Sequence, residues 1–200
     1  MLNKPYSESC DQNREPIQQV IEKYIKGRKT VLEIGSGTGQ HAVYFTSQFP
    51  VLEWQTSDLK VNHEGIQAWI DDSGLQNVLS PIELDSTGQW PEQKFDLLYS
   101  ANTVHIMSSN AVEHLFAKLP GCMFDKSVFL LYGPFNYGGQ YTSESNASFD
   151  VWLKQRDPES CIKNFDWLKD IGRDSGLECT HDFEMPANNR LLVWERIKSK

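Results

Sequence analysis

The chain has 200 residues, of which 39% are hydrophobic and 23% charged, with a formal net charge of −8. This size and composition are typical of one soluble globular domain, which we expect to span residues 1–200. The negative charge disfavours binding to DNA, RNA or anionic membranes, because such binding depends on many Lys or Arg side chains meeting phosphates. The polar N-terminus does not look like a signal peptide, and no apolar run approaches the length of a transmembrane helix. The four cysteines follow no metal-ligand spacing and indicate reduced thiols in a cytoplasmic protein.

The predicted elements alternate between helix and strand. A helix over about residues 15–26, with Pro16 in its first turn, precedes a strand with the sequence TVLEIG. Four more apolar runs follow in turn, VLEWQTSD, PIELD, FDLLYS and SVFLLYG, and helical patterns precede all of them except FDLLYS. After residue 133 come a long polar loop, two helices (FDVWLKQR and IKNFDWLKDIG) and two strands joined by PANN. The order predicts a doubly wound, mostly parallel α/β sheet of seven strands that ends in an antiparallel hairpin.

Three glycines at alternate positions, Gly35, Gly37 and Gly39, follow the first strand in VLEIGSGTGQHAVYF. Glycine adopts positive φ and has no Cβ to keep a ligand from the backbone. Ligands of open α/β sheets bind at the carboxyl ends of the strands, where this turn lies. We therefore predict that the turn, including Ser36, holds a small molecule; the alternative is that the glycines only allow close packing of strand and helix.

Three carboxylates accompany this turn. Glu33 lies within the first strand, where a buried carboxylate needs a partner such as a ligand ammonium group or a backbone N–H. Asp58 ends the second strand, about 20 residues after the turn, where an acidic residue accepts hydrogen bonds from ribose hydroxyls. Asp85 ends the third strand and could reach the far side of a nucleoside. The alternatives are a helix cap for Asp58 and a turn or cap for Asp85.

The pattern E-x-G-x-G-x-G differs from the dinucleotide pattern G-x-G-x-x-G, since Gln40 occupies the place of its last glycine. Together with Asp58, Asp85 and the final hairpin, it resembles the class I methyltransferases that bind S-adenosylmethionine. The resemblance implies that the glycine turn passes under the amino-acid part and ribose of that cofactor, that Asp58 binds the ribose and that Asp85 lies by the adenine.

The match narrows to the methyltransferase-like 26 proteins, a family without a known substrate. The similar segments are NREPI, LEIGSGTGQHA, EWQTSD, YGPF, SN…FD, RDP and MPANN, which span most of the chain. Cys161 is a departure, because the family pattern has a glycine there. In many methyltransferases an N-terminal segment, here residues 1–29, folds over the cofactor. Arg14 could then meet the cofactor carboxylate; a solvated helix start is the alternative.

Two residues after the fourth strand are candidates for catalysis. Asn102 could bind near the cofactor or the acceptor, with a helix N-cap as the alternative. His105 titrates near neutrality and could take a proton from an acceptor, or it could be a packed core histidine. Enzymes that methylate base amino groups have an Asn or Asp followed by two prolines and an aromatic residue here, and Asn102-Thr103-Val104 does not match.

The predicted acceptor pocket draws on residues late in the chain, and residues 134–176 are predicted to form a substrate cap. Each candidate also has a plain structural reading as a turn or a surface ion pair. The candidate substrate residues are Tyr132, Phe135, Asn136, Arg156, Asn188 and Asn189.

The sequence thus predicts an S-adenosylmethionine-dependent methyltransferase that acts on a small molecule, releases S-adenosylhomocysteine and needs no metal ion. In-line methyl transfer requires alignment and exclusion of water, and a base only if the acceptor arrives protonated. One alternative is a regulatory module that binds the cofactor or its product without turnover. Another is a nicotinamide-dependent oxidoreductase, which the glycine spacing disfavours. The oligomeric state is not predicted.

Overall fold

The computed structural model describes residues 4–197. Five strands pair in parallel: β1 (Thr30–Ile34), β2 (Glu53–Asp58), β3 (Val78–Glu83), β4 (Phe95–Ala101) and β5 (Met123–Gly133). Two short strands, β6 (Phe135–Asn136) and β7 (Lys163–Asn164), pair apart from the main sheet. The last two, β8 (Leu177–Met185) and β9 (Asn189–Arg196), are antiparallel, and β9 also pairs with β5. The seven-stranded order β3-β2-β1-β4-β5-β9-β8 confirms the predicted fold.

The helices cover both faces of this sheet. They are α1 (Glu8–Ile21), α2 (Gln40–Gln48), α3 (His63–Ser73), α4 (Ser109–Lys118), α5 (Glu144–Arg156) and α6 (Phe165–Asp174). One core cluster joins α1, α2 and α3 to the sheet, and a second joins α4 and α6 to the opposite face. No helix within residues 4–197 is both long enough and apolar enough to cross a membrane.

Strand β5 shows how the sequence builds two cores. Val128, Leu130 and Tyr132 belong to the first cluster, and the alternating Phe129 and Leu131 belong to the second. A strand covered on both faces must be apolar at successive positions, which explains the continuous apolar run.

Two predicted boundaries were wrong because a proline was read as the start of an element. Helix α1 begins at Glu8, so Pro16 lies inside it. The carbonyl that would have accepted the missing Pro16 N–H belongs to Gln12, an exposed residue that water can reach. Strand β3 begins at Val78 and ends at Glu83, with Pro81 inside it. It is an edge strand, and an edge strand tolerates a proline because the missing N–H would not have bonded a neighbouring strand.

The predicted cap, residues 134–176, divides into two parts. Helix α6 belongs to the layer on the sheet, because Leu168 is buried in the second core cluster. Helix α5 starts at Glu144, earlier than predicted, because the Ser143 hydroxyl accepts a hydrogen bond from Asn146 N and caps it. Cys161, where the family pattern has glycine, is not among the described residues with positive φ, so its backbone does not require glycine. The four cysteines are free.

Candidate functional site

The three glycines of the turn have different surroundings. A Cβ on Gly35 would lie 2.7 Å from Thr103 Oγ1, and a Cβ on Gly39 would lie 3.1 Å from Ile66 Cα. The absence of a side chain at these two positions therefore allows Thr103 and Ile66 to approach the backbone of the turn. Gly37 has φ +58° and open space where its Cβ would be. Of the three, Gly37 is the one that leaves bare backbone for a ligand.

The Asp58 carboxylate lies directly against this turn. Its Oδ2 accepts the Gly37 N–H at 2.7 Å. Its Oδ1 accepts Leu59 N–H at 2.7 Å and Asn62 Nδ2–H at 2.8 Å. Asp58 is buried, and strand β2 ends at this residue. A carboxylate has about four acceptor sites, so three bonds leave capacity for a ligand hydroxyl.

Glu33 and Ser36 support the turn from below. The Ser36 hydroxyl donates to Glu33 Oε2 at 2.8 Å, and the Trp54 indole donates to the same oxygen at 3.1 Å. Ser57 N–H in turn donates to Ser36 Oγ. Burial raises the pKa of Glu33 to about 7, against the opposing effect of the two donors. The Ser36 hydroxyl is therefore occupied by bonds within the protein. Both bonds to Glu33 use Oε2 and leave Oε1 for a ligand.

An open cavity of about 540 Å³ borders the turn, a volume that suits a cofactor-sized ligand. Gly37, Thr38 and Asn62 line it on the side of the turn and Asp58. Pro5 closes another side, where its carbonyl accepts the Trp69 indole N–H at 2.7 Å. The N-terminal segment thus forms a wall of the cavity.

Asp85 lies at a second, smaller cavity of about 240 Å³ that it shares with Glu83, Gly88 and Gln89. Its Oδ1 accepts hydrogen bonds from both the backbone N–H and the hydroxyl of Thr87, each at 2.8 Å. These bonds lower the pKa of Asp85. The geometry is that of an Asx turn, which was the structural alternative for this residue. Strands β2 and β3 pair at Asp58 and Glu83, so the two cavities are at the same edge of the sheet.

Asn102 follows β4 with φ +57°, a left-handed conformation that asparagine adopts more readily than most residues with a side chain. Its N–H donates to Tyr132 O at 2.9 Å. The 3-10 turn Val104–Ile106 is preceded by Thr103, so Asn102 is not its N-cap. The next residue, Thr103, has its side chain against Gly35. The ends of β1 and β4 therefore meet at this point.

His105 is buried, with 6% of its surface exposed, and its Nδ1 has no hydrogen-bond partner. A Cβ on Gly133 would lie 3.8 Å from that nitrogen, and the Phe149 ring meets the imidazole edge-on at 5.3 Å. Burial and then the charge of Lys163 lower the pKa of His105 to about 4. The ring is therefore neutral at pH 7. Nδ1 is thus a buried nitrogen without a partner in the protein, beside Gly133 and Phe149.

The predicted rim residues lie on opposite faces of the sheet. Tyr132 is buried in the first core cluster, and burial raises its pKa to about 12. Phe135 is fully buried in the second cluster. Asn136 has a buried Oδ1 without a partner. The structure thus does not bring Tyr132 and Phe135 together at one pocket rim.

The remaining predicted residues have partners within the protein. Arg156 is exposed and stacks on Trp152 at 4.7 Å. Asn188 has φ +57° and its carbonyl accepts a hydrogen bond from Asn146. Asn189 holds the hairpin turn through Pro186 O.

Arg14 bonds Asp11 at 2.6 Å and lies 4.7 Å from the Tyr44 ring, although its buried Nε has no partner. The cofactor carboxylate predicted for Arg14 would have to compete with Asp11 for the guanidinium group.

Three site residues escaped the sequence analysis. Asn62 orients Asp58, Thr103 fills the space beside Gly35, and Lys163 sets the charge near His105. No local pattern marks Asn62 or Thr103 as important. Apolar residues close to Lys163 in CIKNF were a usable signal of burial, and a buried lysine is rare.

The chain belongs to the family described as a protein of unknown function (DUF938), which matches residues 4–196. Its fold is that of the class I methyltransferases. It is similar to the mitomycin 7-O-methyltransferase MmcR (TM-score 0.80, 17% identity over 92% of this chain and 53% of that one). It is also similar to an O-methyltransferase family protein from Burkholderia thailandensis (TM-score 0.81, 16% identity over 93% of this chain and 57% of that one). A third similar structure is that of the S-adenosylmethionine-dependent methyltransferase SibL (TM-score 0.80, 17% identity over 95% of this chain and 56% of that one). The chain spans little more than half the length of these proteins, and the likeness establishes the fold.

Proposed function

We propose that the protein is an S-adenosylmethionine-dependent methyltransferase that acts on a small-molecule acceptor and releases S-adenosylhomocysteine. The observation that carries the proposal is the contact of the Asp58 carboxylate with Gly37 N–H beside the 540 Å³ cavity. A carboxylate and bare backbone at the carboxyl edge of a parallel sheet suit a ribose and the chain attached to it. The shared fold with MmcR and SibL supports the same assignment.

The residues present fit this cofactor, which supplies a methyl group bound to a positively charged sulfur. Asp58 would hold the ribose hydroxyls, and Glu33 Oε1 would face the ammonium group. Asp85 would bind near the adenine once a ligand competes with Thr87. Asn102 would close the site from the side of β4. The neutral His105 ring would take the proton of a hydroxyl acceptor at Nδ1.

Two finer proposals go with this one. The motifs NREPI, LEIGSGTGQHA and MPANN support membership in the methyltransferase-like 26 group. The four free cysteines support a cytoplasmic location, where thiols stay reduced.

Calorimetric titration tests the cofactor proposal. We expect wild-type protein to bind S-adenosylhomocysteine in preference to NAD. Asp58→Asn should weaken binding ~10–100-fold, because a hydrogen bond to a charged group contributes about 1.5–3 kcal/mol. Asp125→Asn, at a carboxylate that is 97% exposed, is the matched control and should bind as wild type does.

The outcomes separate the candidate functions. Absence of binding to S-adenosylmethionine and S-adenosylhomocysteine at millimolar concentration would refute the proposal. Preference for NAD would favour the oxidoreductase. Tight cofactor binding with no methylated product from any acceptor in a broad screen would favour the non-catalytic module.

A further inference from the structure

The turn that carries His105 is held from outside by residues 160–163. The Ser160 hydroxyl donates to Ile106 O at 3.2 Å, and Lys163 Nζ donates to Met107 O at 2.7 Å. Both bonds attach to the backbone immediately after His105. The segment between α5 and α6 therefore fixes the position of the imidazole.

Lys163 has an unusual environment for a lysine. It is 2% exposed, and its Nζ donates to Met107 O, Cys161 O at 3.3 Å and Cys161 Sγ at 3.2 Å. These three bonds use the three ammonium protons, and none of the acceptors is a carboxylate. The site thus holds a buried positive charge that no acidic partner neutralises within this set of bonds.

Lys163 is the charged group that acts on His105. Helix α5 presents the Phe149 ring to the imidazole, and β5 presents Gly133, neither of which titrates. Lys163 comes from β7, which pairs with β6 next to Gly133. A positive charge near an imidazole disfavours the imidazolium form.

We propose that Lys163 is a positioning residue for His105: its buried ammonium group holds the turn that carries the imidazole through the hydrogen bond to Met107 O. The inference rests on the proposed function, in which a neutral His105 takes a proton from the acceptor. Without Lys163, the turn would lose the bond at Met107 O and the imidazole would lose a nearby positive charge, so the titration of the ring reports whether Lys163 acts on it.

The test is an NMR titration of the histidine rings of the full chain, with the His105 signal assigned from a His105→Gln spectrum. In wild-type protein we expect His105 to titrate with a pKa of about 4. In Lys163→Met the pKa should rise but stay below the ordinary value of 6.5, because burial remains. Lys163→Arg retains the charge and should restore the wild-type titration. Ser160→Ala removes a bond to the same turn without removing charge, and should also titrate as wild type does.

Several results would overturn the proposal. One is an unchanged titration in Lys163→Met, and another is a shift in Ser160→Ala as large as that in Lys163→Met. A wild-type pKa above 6 would overturn it without any variant, which covers the case in which Lys163→Met does not fold. The titration needs neither cofactor nor acceptor, so it is independent of the calorimetric test of function. Once an acceptor is known, the acid limb of the kcat profile should move to higher pH in Lys163→Met.

Discussion

Glu33→Gln should remove a pH dependence that the buried Glu33 carboxyl group imposes on the free energy of unfolding. The carboxyl group of Glu33 is fully buried, and its pKa rises from 4.5 to about 7 on folding. The folded state therefore binds this proton more tightly than the unfolded state does. The stabilisation from the protonated group is complete below pH 4.5 and is lost as pH rises to about 7.

The structure sets the size of this effect. Each unit of pKa corresponds to about 1.4 kcal/mol, so a rise from 4.5 to about 7 corresponds to about 3 kcal/mol. A glutamine keeps an oxygen for the Ser36 and Trp54 donors and never ionises. Relative to wild type, Glu33→Gln should gain about 3 kcal/mol in free energy of unfolding between pH 4.5 and 8.

Urea unfolding of both proteins at intervals from pH 4.5 to 8 measures this difference directly. Glu53→Gln, at an exposed position in the same parallel pair of strands, is the matched control and should differ from wild type by a constant amount. If the wild-type and Glu33→Gln curves run parallel over this range, Glu33 does not fold in its protonated form and the reasoning is refuted.

Two glycine substitutions test the packing. Gly172→Ala would place a Cβ 2.5 Å from Trp194 Cζ3 in the core, and urea unfolding should show that the free energy of unfolding falls by about 1–3 kcal/mol. Gly121→Ala has open space at its Cβ and should lose less than about 0.5 kcal/mol of that free energy. Gly65→Ala would meet Pro5 Cγ at 2.6 Å, so limited proteolysis should cut the displaced N-terminal segment faster, while α3 gains up to about 1 kcal/mol from alanine. Equal losses at Gly172 and Gly121, or unchanged proteolysis of Gly65→Ala, would contradict these expectations.

The sheet was predictable because its strands are buried on both faces. Such strands appear as continuous apolar runs, and helical patterns separate most of them, so the α/β class and the final hairpin followed from the order of elements. The boundaries at Pro16 and Pro81 were not predictable in the same way. Whether a proline ends an element depends on whether its missing N–H has a partner, and that depends on the edge of the sheet or the exposure of a neighbouring turn.

The cofactor side of the candidate site was also largely visible in the sequence. Gly37 and Asp58 are 21 residues apart, at the ends of adjacent parallel strands, and the structure joins them by a hydrogen bond. The reasons for Gly35 and Gly39 were not visible, because Thr103 and Ile66 reach them from distant parts of the chain. A motif gives the residue type, whereas tertiary packing decides whether a ligand or a side chain takes the space.

The segments around α5, which belong to the predicted substrate cap, are held together by a buried carboxylate and not by a sequence motif. Asp150 is a buried carboxylate on α5 that accepts hydrogen bonds from Tyr141 OH at 2.8 Å, Ile162 N at 2.6 Å and Lys154 Nζ at 2.6 Å. Burial raises its pKa, but these donors outweigh burial and lower it overall. Asp150 therefore ties the loop before α5 to the segment after it, which includes Lys163. None of these bonds involves the glycine turn or Asp58. Under the proposed function, we expect substitutions within residues 137–164 to affect the acceptor and not the cofactor site. Loss of the Asp150 carboxylate would release Ile162, next to the Lys163 that bonds Met107 O, and leave the Gly37–Asp58 contact in place.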